Sequence, residues 1–289
     1  MTSLLEPQPA KIIGREPRSS RLPATRGVPL AYALSGVTAV LLLLTSIAGV
    51  VFGQRGLYVP DSATMPAFLG QDALSLIFGL PLLLGSATLA RRGSLGGLLV
   101  WMGALFYIAY SYAFYPLSPE FNALYLAYIA VVSTSLYSLV YLLMSVNAEA
   151  VQARFSPRTP VRLIGGFMML MALLLTLKWV STIVGMLADG AIPTRVQRVV
   201  WPLDLIVALP ALFWGGLWLW RQQPLGYVVA GLLLLKAAFV GITLVVDTWL
   251  VSLWGQPIDP MLPAYAVIGL GGLFFTVTYI RCIRPEGVA

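Results

Sequence analysis

Five ionisable side chains lie within long apolar segments of this chain, where a charge is costly and often marks a binding site or a proton pathway. They are Asp72, Lys178, Asp204, Lys236 and Asp247. Lys236 follows four consecutive leucines, about 11 residues into an apolar segment over 225–251. A rise of 1.5 Å per residue places it at least about 16 Å from either end of that segment, beyond the reach of a lysine stem of about 6 Å. We therefore expect Lys236 to face the protein interior.

Such a lysine has two interpretations. It binds an anionic group of a substrate or senses protonation, or it is structural and a partner holds its charge. Tyr107 and Tyr110 lie on one helical stripe of the third apolar segment, and the internal repeat described below would bring that stripe opposite Lys236. We predict that these tyrosines orient a substrate. The alternative is that they belong to the aromatic belt at the membrane surface.

The acidic residues Asp72 and Asp204 are predicted to line the outer mouth of the site. The alternative for both is helix capping, because a carboxylate in a first turn meets the positive end of the helix dipole. Lys178 lies roughly 24 Å beyond the start of the fifth segment. It either pairs with Asp204 or extends to the outer headgroups. Asp247 is expected at the membrane interface.

The composition argues against most catalytic chemistry. The chain has no histidine and one cysteine, Cys282, so histidine-dependent metal, haem and general-base sites are disfavoured. It contains no GxSxG elbow, HExxH motif, Walker loop or GxGxxG fingerprint. We therefore predict no cofactor, no metal and no catalytic residue, and favour a protein that is not an enzyme.

The elements that position these residues are apolar helices. Hydrophobic types make up 59% of the 289 residues and charged types 10%, well below the charged fraction of about a quarter in soluble domains. A helix of roughly 20 apolar residues crosses a bilayer. The sequence predicts an all-α integral membrane protein with about eight transmembrane helices over 29–53, 71–90, 95–115, 122–145, 161–187, 202–220, 225–251 and 262–281.

Positive charges predict the orientation of these segments. With the N-terminus inside, three arginines face outward, namely Arg55, Arg195 and Arg198. Thirteen basic residues face inward, as the positive-inside rule requires. We expect a multi-pass protein of a bacterial-type inner (plasma) membrane with both termini in the cytoplasm. The inward residues are Lys11, Arg15, Arg18, Arg21, Arg26, Arg91, Arg92, Arg154, Arg158, Arg162, Arg221, Arg281 and Arg284.

The segment over 1–28 is a basic, proline-containing tail that we expect to be disordered. Its charges fit a position beside anionic lipid headgroups. They do not predict nucleic-acid binding, because no aromatic platform accompanies them.

The two halves of the chain resemble each other. Leu80-Pro81 recurs as Leu209-Pro210, and Leu95-Gly96 recurs as Leu225-Gly226. We predict a first four-helix half over 29–145 and a second over 161–281, related by an axis along the membrane normal. Chance similarity of two leucine-rich hairpins is the alternative.

Three functional hypotheses remain open. The first is a small-molecule transporter with a mid-membrane site around Lys236 for a small anionic or amphiphilic solute. The second is a non-catalytic integral membrane subunit, assembly factor or sensor. The third is an intramembrane enzyme that acts on lipid, for which no nucleophile and base are visible. A water-accessible cavity that reaches Lys236 would favour the first.

Overall fold

The computed structural model describes residues 28–58, 65–117, 121–255 and 257–284. The predicted basic tail therefore lies, up to residue 27, outside the described residues. The described chain is almost entirely helical and contains eight helices long and apolar enough to span a membrane. We number them α1 to α8: Val28–Arg55, Met65–Arg91, Leu95–Leu117, Tyr125–Ser145, Val161–Ala188, Arg195–Trp220, Pro224–Leu253 and Leu262–Arg281.

Two helices begin earlier than the sequence predicted. Helix α2 begins at Met65 rather than at residue 71, and α6 begins at Arg195 rather than at residue 202. In α6 the reason is a capping box: the Thr194 hydroxyl accepts from the Gln197 amide, and the Gln197 side chain accepts from the Thr194 amide. These bonds satisfy N–H groups at the start of the helix. The first turns of α6 carry Arg195 and Arg198, so a search for apolar segments does not include these turns.

Each of these helices contains one widened, π-helical turn. The turns are Ser75–Gly79 in α2 and Asp204–Ala208 in α6. The next residue donates its amide to the carbonyl five positions earlier, Leu80 to Ser75 and Leu209 to Asp204. A proline follows directly in both cases, Pro81 and Pro210, and proline cannot donate to the helical ladder. The irregular turns therefore accompany the Leu-Pro pairs.

Helix α3 is the centre of the bundle. It packs against α2, α4 and α7, and α7 also packs against α6 and α8. Gly103 lets α3 and α7 approach closely, because a Cβ there would meet the Leu235 side chain at 2.7 Å and the Leu232 carbonyl at 3.0 Å. The outer helices present exposed apolar side chains, among them Leu44 in α1 and Leu177 in α5. Eight such helices are consistent with a multi-pass membrane protein.

At the end of the bundle where residue 28 lies, segments that are distant in sequence contact one another. A short helix, Ala148–Ala153, follows α4. The Phe155 ring beyond it packs against Tyr227 and Tyr279, with ring centroids 5.2 and 4.5 Å away. The Ser156 amide donates to the Cys282 carbonyl at 2.9 Å. We call this end the N-terminal face and the other end the opposite face.

Candidate functional site

A cavity of about 550 Å³ lies between α3, α5, α6, α7 and α8, with the start of α2 at one side. Its deepest wall includes Leu212 and Leu233, and it extends to Arg195 and Asp259 at the opposite face. Most of the lining is apolar or aromatic, with a few charged groups. This is the usual composition of a small-molecule site.

Lys236 lies in the deep part of this cavity. Its side chain is only 8% exposed, as its depth in the sequence predicted. The ammonium nitrogen lies 3.6 Å from the centroid of the Tyr110 ring, which is close enough for a strong cation–π interaction. Within the described chain, no hydrogen-bond acceptor contacts this ammonium, so its N–H groups are available to a ligand.

Tyr110 joins the lysine to a carboxylate. Its hydroxyl donates to Asp204 Oδ1 at 2.6 Å, and Trp179 Nε1 donates to Asp204 Oδ2 at 2.9 Å. Both Tyr110 and Asp204 are buried and line the cavity. One tyrosine thus contacts a cation with its ring and an anion with its hydroxyl. The charges of Lys236 and Asp204 are close without forming a direct ion pair.

The capping interpretation of Asp204 is wrong. Because α6 begins at Arg195, Asp204 lies in the interior of the helix at the start of its π-turn. Pro202 is also inside the helix. Lys178 lines the cavity but is exposed, and it forms no ion pair with Asp204, whose oxygens bond to Tyr110 and Trp179. Of the two alternatives for Lys178, the pair with Asp204 is therefore not formed.

Asp72 lies outside the cavity, against the prediction that it lines the mouth. It is completely buried and accepts hydrogen bonds from Tyr58 at 2.5 Å and Tyr115 at 2.9 Å. Burial, with the nearby Asp72 charge, raises the pKa of the Tyr58 hydroxyl, which therefore stays protonated and donates. The capping alternative is wrong as well, because α2 begins at Met65 and Asp72 is two turns inside it.

The rings around Asp72 form a compact cluster of Tyr58, Tyr112, Tyr115 and Tyr128. Tyr115 stacks on Tyr112 and Tyr128 with centroids 5.1 and 4.4 Å apart. Gly49 of α1 completes the enclosure, since a Cβ there would lie 1.8 Å from Asp72 Oδ2. The cluster fills the space between α1, α2, α3 and α4, so Asp72 is a packing element of these four helices.

Tyr107 is buried beside the cavity but does not line it. Its hydroxyl accepts from Gln71 Nε2 at 3.3 Å and lies 3.1 Å from the Thr243 hydroxyl. Gln71 and Thr243 do line the cavity. Tyr107 therefore reaches the site through these two side chains, whereas Tyr110 forms part of its wall.

Two cavity residues were not predicted. Asp247 was expected at the interface, but it lines the cavity and its Oδ1 atom is inaccessible and has no hydrogen-bond partner. Trp201, 8% exposed, also lines the cavity, and its Nε1–H is likewise inaccessible and without a hydrogen-bond partner. The sequence carried a signal for Asp247. One stripe of α7 faces the cavity. It carries, at helical spacing, Lys236, Val240, Thr243 and Asp247.

In the described part of the chain, no three histidine, cysteine or acidic side chains come together as metal ligands. Comparison with protein-family models, with curated proteins and with solved structures finds no match. The functional argument therefore rests on the cavity itself.

Proposed function

We propose that the protein is a small-molecule transporter and that its solute, a small anionic or amphiphilic molecule, binds in the cavity at Lys236. The observation that carries the proposal is the cavity of about 550 Å³ with a buried lysine at its deep end. A packed structural core would have filled this volume, because protein interiors leave few voids larger than a water molecule.

The chemistry at Lys236 favours an anionic group. The Tyr110 ring offsets part of the desolvation of the ammonium, yet its hydrogen-bond donors remain unused. A carboxylate or phosphate would accept from them in a charge-assisted bond. Asp204 is held away from the ammonium by the Tyr110 hydroxyl, so a ligand does not need to displace it.

The cavity extends toward the opposite face, where Arg195 and Asp259 line it. On the side of the N-terminal face, α5, α6 and α7 pack through glycines. A Cβ at Gly216 would meet the Gly165 carbonyl at 2.8 Å, and one at Gly215 would meet Leu233 at 2.9 Å. Transport requires this packing to loosen while the mouth closes, as in alternating access.

The proposal includes two parallel repeats, over 29–145 and 161–281. The π-turns, which begin at Ser75 and Asp204, are 129 positions apart. The same shift relates Gly97 to Gly226. A Cβ at Gly97 would meet Leu89 and Ala90, and one at Gly226 would meet the backbone of the equivalent residues 218 and 219. These equivalences support a common ancestor for the halves.

The same shift relates a pair of contacting side chains in one half to a pair in the other. Lys236 over the Tyr110 ring corresponds to Tyr107 against the Phe239 ring, whose centroids are 5.5 Å apart. In one half the pair carries a charge and faces a cavity, and in the other it carries none and is packed. We infer that one chain holds one site, formed by the second half with α3.

We further propose a bacterial-type inner membrane location with both termini in the cytoplasm, supported by the thirteen inward arginines and lysines against three outward ones. The cavity then opens to the outside. The lipid bilayer surrounds the protein, and no nucleic-acid partner is proposed.

The test has two stages. Purified protein is screened for anionic and amphiphilic solutes that raise its unfolding temperature, since a ligand of the folded state must do so. Solutes so found are then measured for uptake into proteoliposomes. Lys236→Met, which keeps the stem volume but removes the charge, should fold normally and lose both effects, whereas Lys178→Met should be milder.

Equal uptake by wild type and Lys236→Met would overturn the transport proposal. Lys236-dependent binding with no uptake would also overturn it, and would favour the sensor hypothesis instead.

A further inference from the structure

Two side chains of opposite kind line the cavity, and neither forms an ion pair within the described chain. The Lys236 ammonium lies against the Tyr110 ring and keeps its hydrogen-bond donors. The Asp247 carboxyl is an acceptor, and its Oδ1 atom is enclosed beside α2 without a hydrogen-bond partner. A ligand that contacts both residues must carry an acceptor and a donor.

The groups are separated along the cavity. Lys236 and Asp247 are eleven residues apart on one stripe of α7, which corresponds to about 16 Å at 1.5 Å per residue. The ammonium of Lys236 thus lies at the deep end of the cavity, and the Asp247 carboxyl lies near its mouth.

The wall between the two ends is mainly apolar. It includes Val240 and Leu244 of α7 and Phe114 of α3. An apolar wall about 16 Å long would bury an aliphatic or aromatic body but offers little to a compact polar solute. The shape and the lining therefore select an elongated molecule with polar ends.

No cation of the described chain forms an ion pair with Asp247. Its Oδ1 atom faces α2, where a Cβ at Gly70 would lie 2.8 Å away, and is enclosed there. The polar chain from Gln71 through Tyr107 to Thr243 is bonded within itself. Lys178 and Arg195 line the cavity but are exposed, and neither forms an ion pair with Asp247. The carboxyl oxygen that does not face α2 is therefore the atom that an ammonium group can contact.

We propose that the solute is an elongated amphiphilic zwitterion, with its anionic end on Lys236 and an amine at Asp247. The inference rests on the proposed function, because it specifies the solute of the same site. It adds a requirement that anion binding alone does not make: the two charges must be separated by an apolar body long enough to connect both ends of the cavity.

Straight-chain ω-amino acids provide the test. Binding of a series from 6-aminohexanoate to 12-aminododecanoate is measured by calorimetry with the protein in lipid nanodiscs, and empty nanodiscs provide the blank. Dodecanoate serves as the probe without an amine. We expect 12-aminododecanoate to bind at least about tenfold more tightly than dodecanoate, and affinity to rise with chain length across the series.

Asp247→Asn should remove this preference for the amine, so that 12-aminododecanoate binds no more tightly than dodecanoate. Asp189→Asn is the matched control, because Asp189 is an exposed acid at the opposite face and does not line the cavity. It should retain the preference.

Two results would overturn the inference and leave the proposed function standing. One is Lys236-dependent dodecanoate binding that an added amine does not strengthen at any length. The other is an amine preference that Asp247→Asn retains. If no probe binds in a Lys236-dependent way, the anion site itself is refuted, and with it both proposals.

Discussion

The replacement Tyr110→Phe separates the two roles of this residue. It keeps the ring that lies 3.6 Å from the Lys236 ammonium and removes the hydroxyl that donates to Asp204 at 2.6 Å. Asp204 then keeps one donor, Trp179, and its Oδ1 atom is left without one. A buried acceptor that loses its donor costs about 1–3 kcal/mol, and more when it is charged. We expect Tyr110→Phe to lower the free energy of unfolding by about 2–3 kcal/mol.

Tyr110→Leu should be worse, because it also removes the ring beneath the ammonium. A desolvated cation–π contact contributes about 2 kcal/mol, so the total loss should reach about 4–5 kcal/mol. Unfolding is measured in mixed micelles by titration with sodium dodecyl sulfate. Tyr137→Phe is the control: Tyr137 is 61% exposed, and its variant should stay within about 0.5 kcal/mol of wild type.

The reasoning would be refuted if Tyr110→Phe were as stable as the Tyr137→Phe control. Asp204 would then not depend on the tyrosine hydroxyl, and the Lys236–Tyr110–Asp204 arrangement would not be an electrostatic unit. A loss in Tyr110→Phe equal to that in Tyr110→Leu would instead mean that the ring does not stabilise the lysine.

Further predictions concern packing, charge and topology. Gly49→Ala should destabilise the fold by about 1–3 kcal/mol or more, because its Cβ would clash with Asp72, whereas Gly36→Ala, with open space around it, should be neutral or slightly stabilising on thermal unfolding. Asp72→Asn should lower thermal stability without changing solute uptake; an equal loss of uptake in folded protein would place Asp72 in the site after all. Cysteine at Ala191 should react with an impermeant thiol reagent in intact cells, and cysteine at Gln222 only after permeabilisation; the reverse pattern would invert the topology.

Much of the fold was predictable because its main determinant is local. Apolar segments long enough to cross a bilayer must be helical, since no water satisfies their backbone groups. All eight segments therefore appeared in the sequence. The first turns of α6 were missed because Arg195 and its neighbours are polar, so a search for apolar segments does not include them. The first turns of α2 are apolar but contain Pro66, which disfavours a helix in the sequence although a first helical turn tolerates it.

The site was predictable only where depth alone decided it. Lys236 is too far from both ends of its helix to reach the surface, so its burial followed from the helical rise. Asp72 and Asp204 look alike in sequence, each a carboxylate near the start of an apolar segment. Their surroundings differ because tyrosines from other helices enclose Asp72, whereas Asp204 borders open space. Such contacts are not local and cannot be inferred from periodicity.

The contact of Asp247 with α2 was not predicted, although its spacing from Lys236 was visible. Distance from the end of the helix suggested an interfacial position, and the close approach of α2 at Gly70 encloses one of its carboxyl oxygens. A Cβ at position 70 would lie 2.8 Å from Asp247 Oδ1, so a larger residue there would require the carboxylate to shift. This contact depends on how the helices cross, which one sequence does not specify.

The central claim, that a cavity connects Lys236 to one side of the membrane, has a direct test in the accessibility of position 236. Lys236→Cys is made in a Cys282→Ser background, because Cys282 is the chain's single thiol. In proteoliposomes of known orientation, the new thiol should react with a small impermeant reagent added at the opposite face, and not with reagent added at the N-terminal face. Failure to react from either side in folded protein, while cysteine at Ala191 reacts normally, would contradict the account.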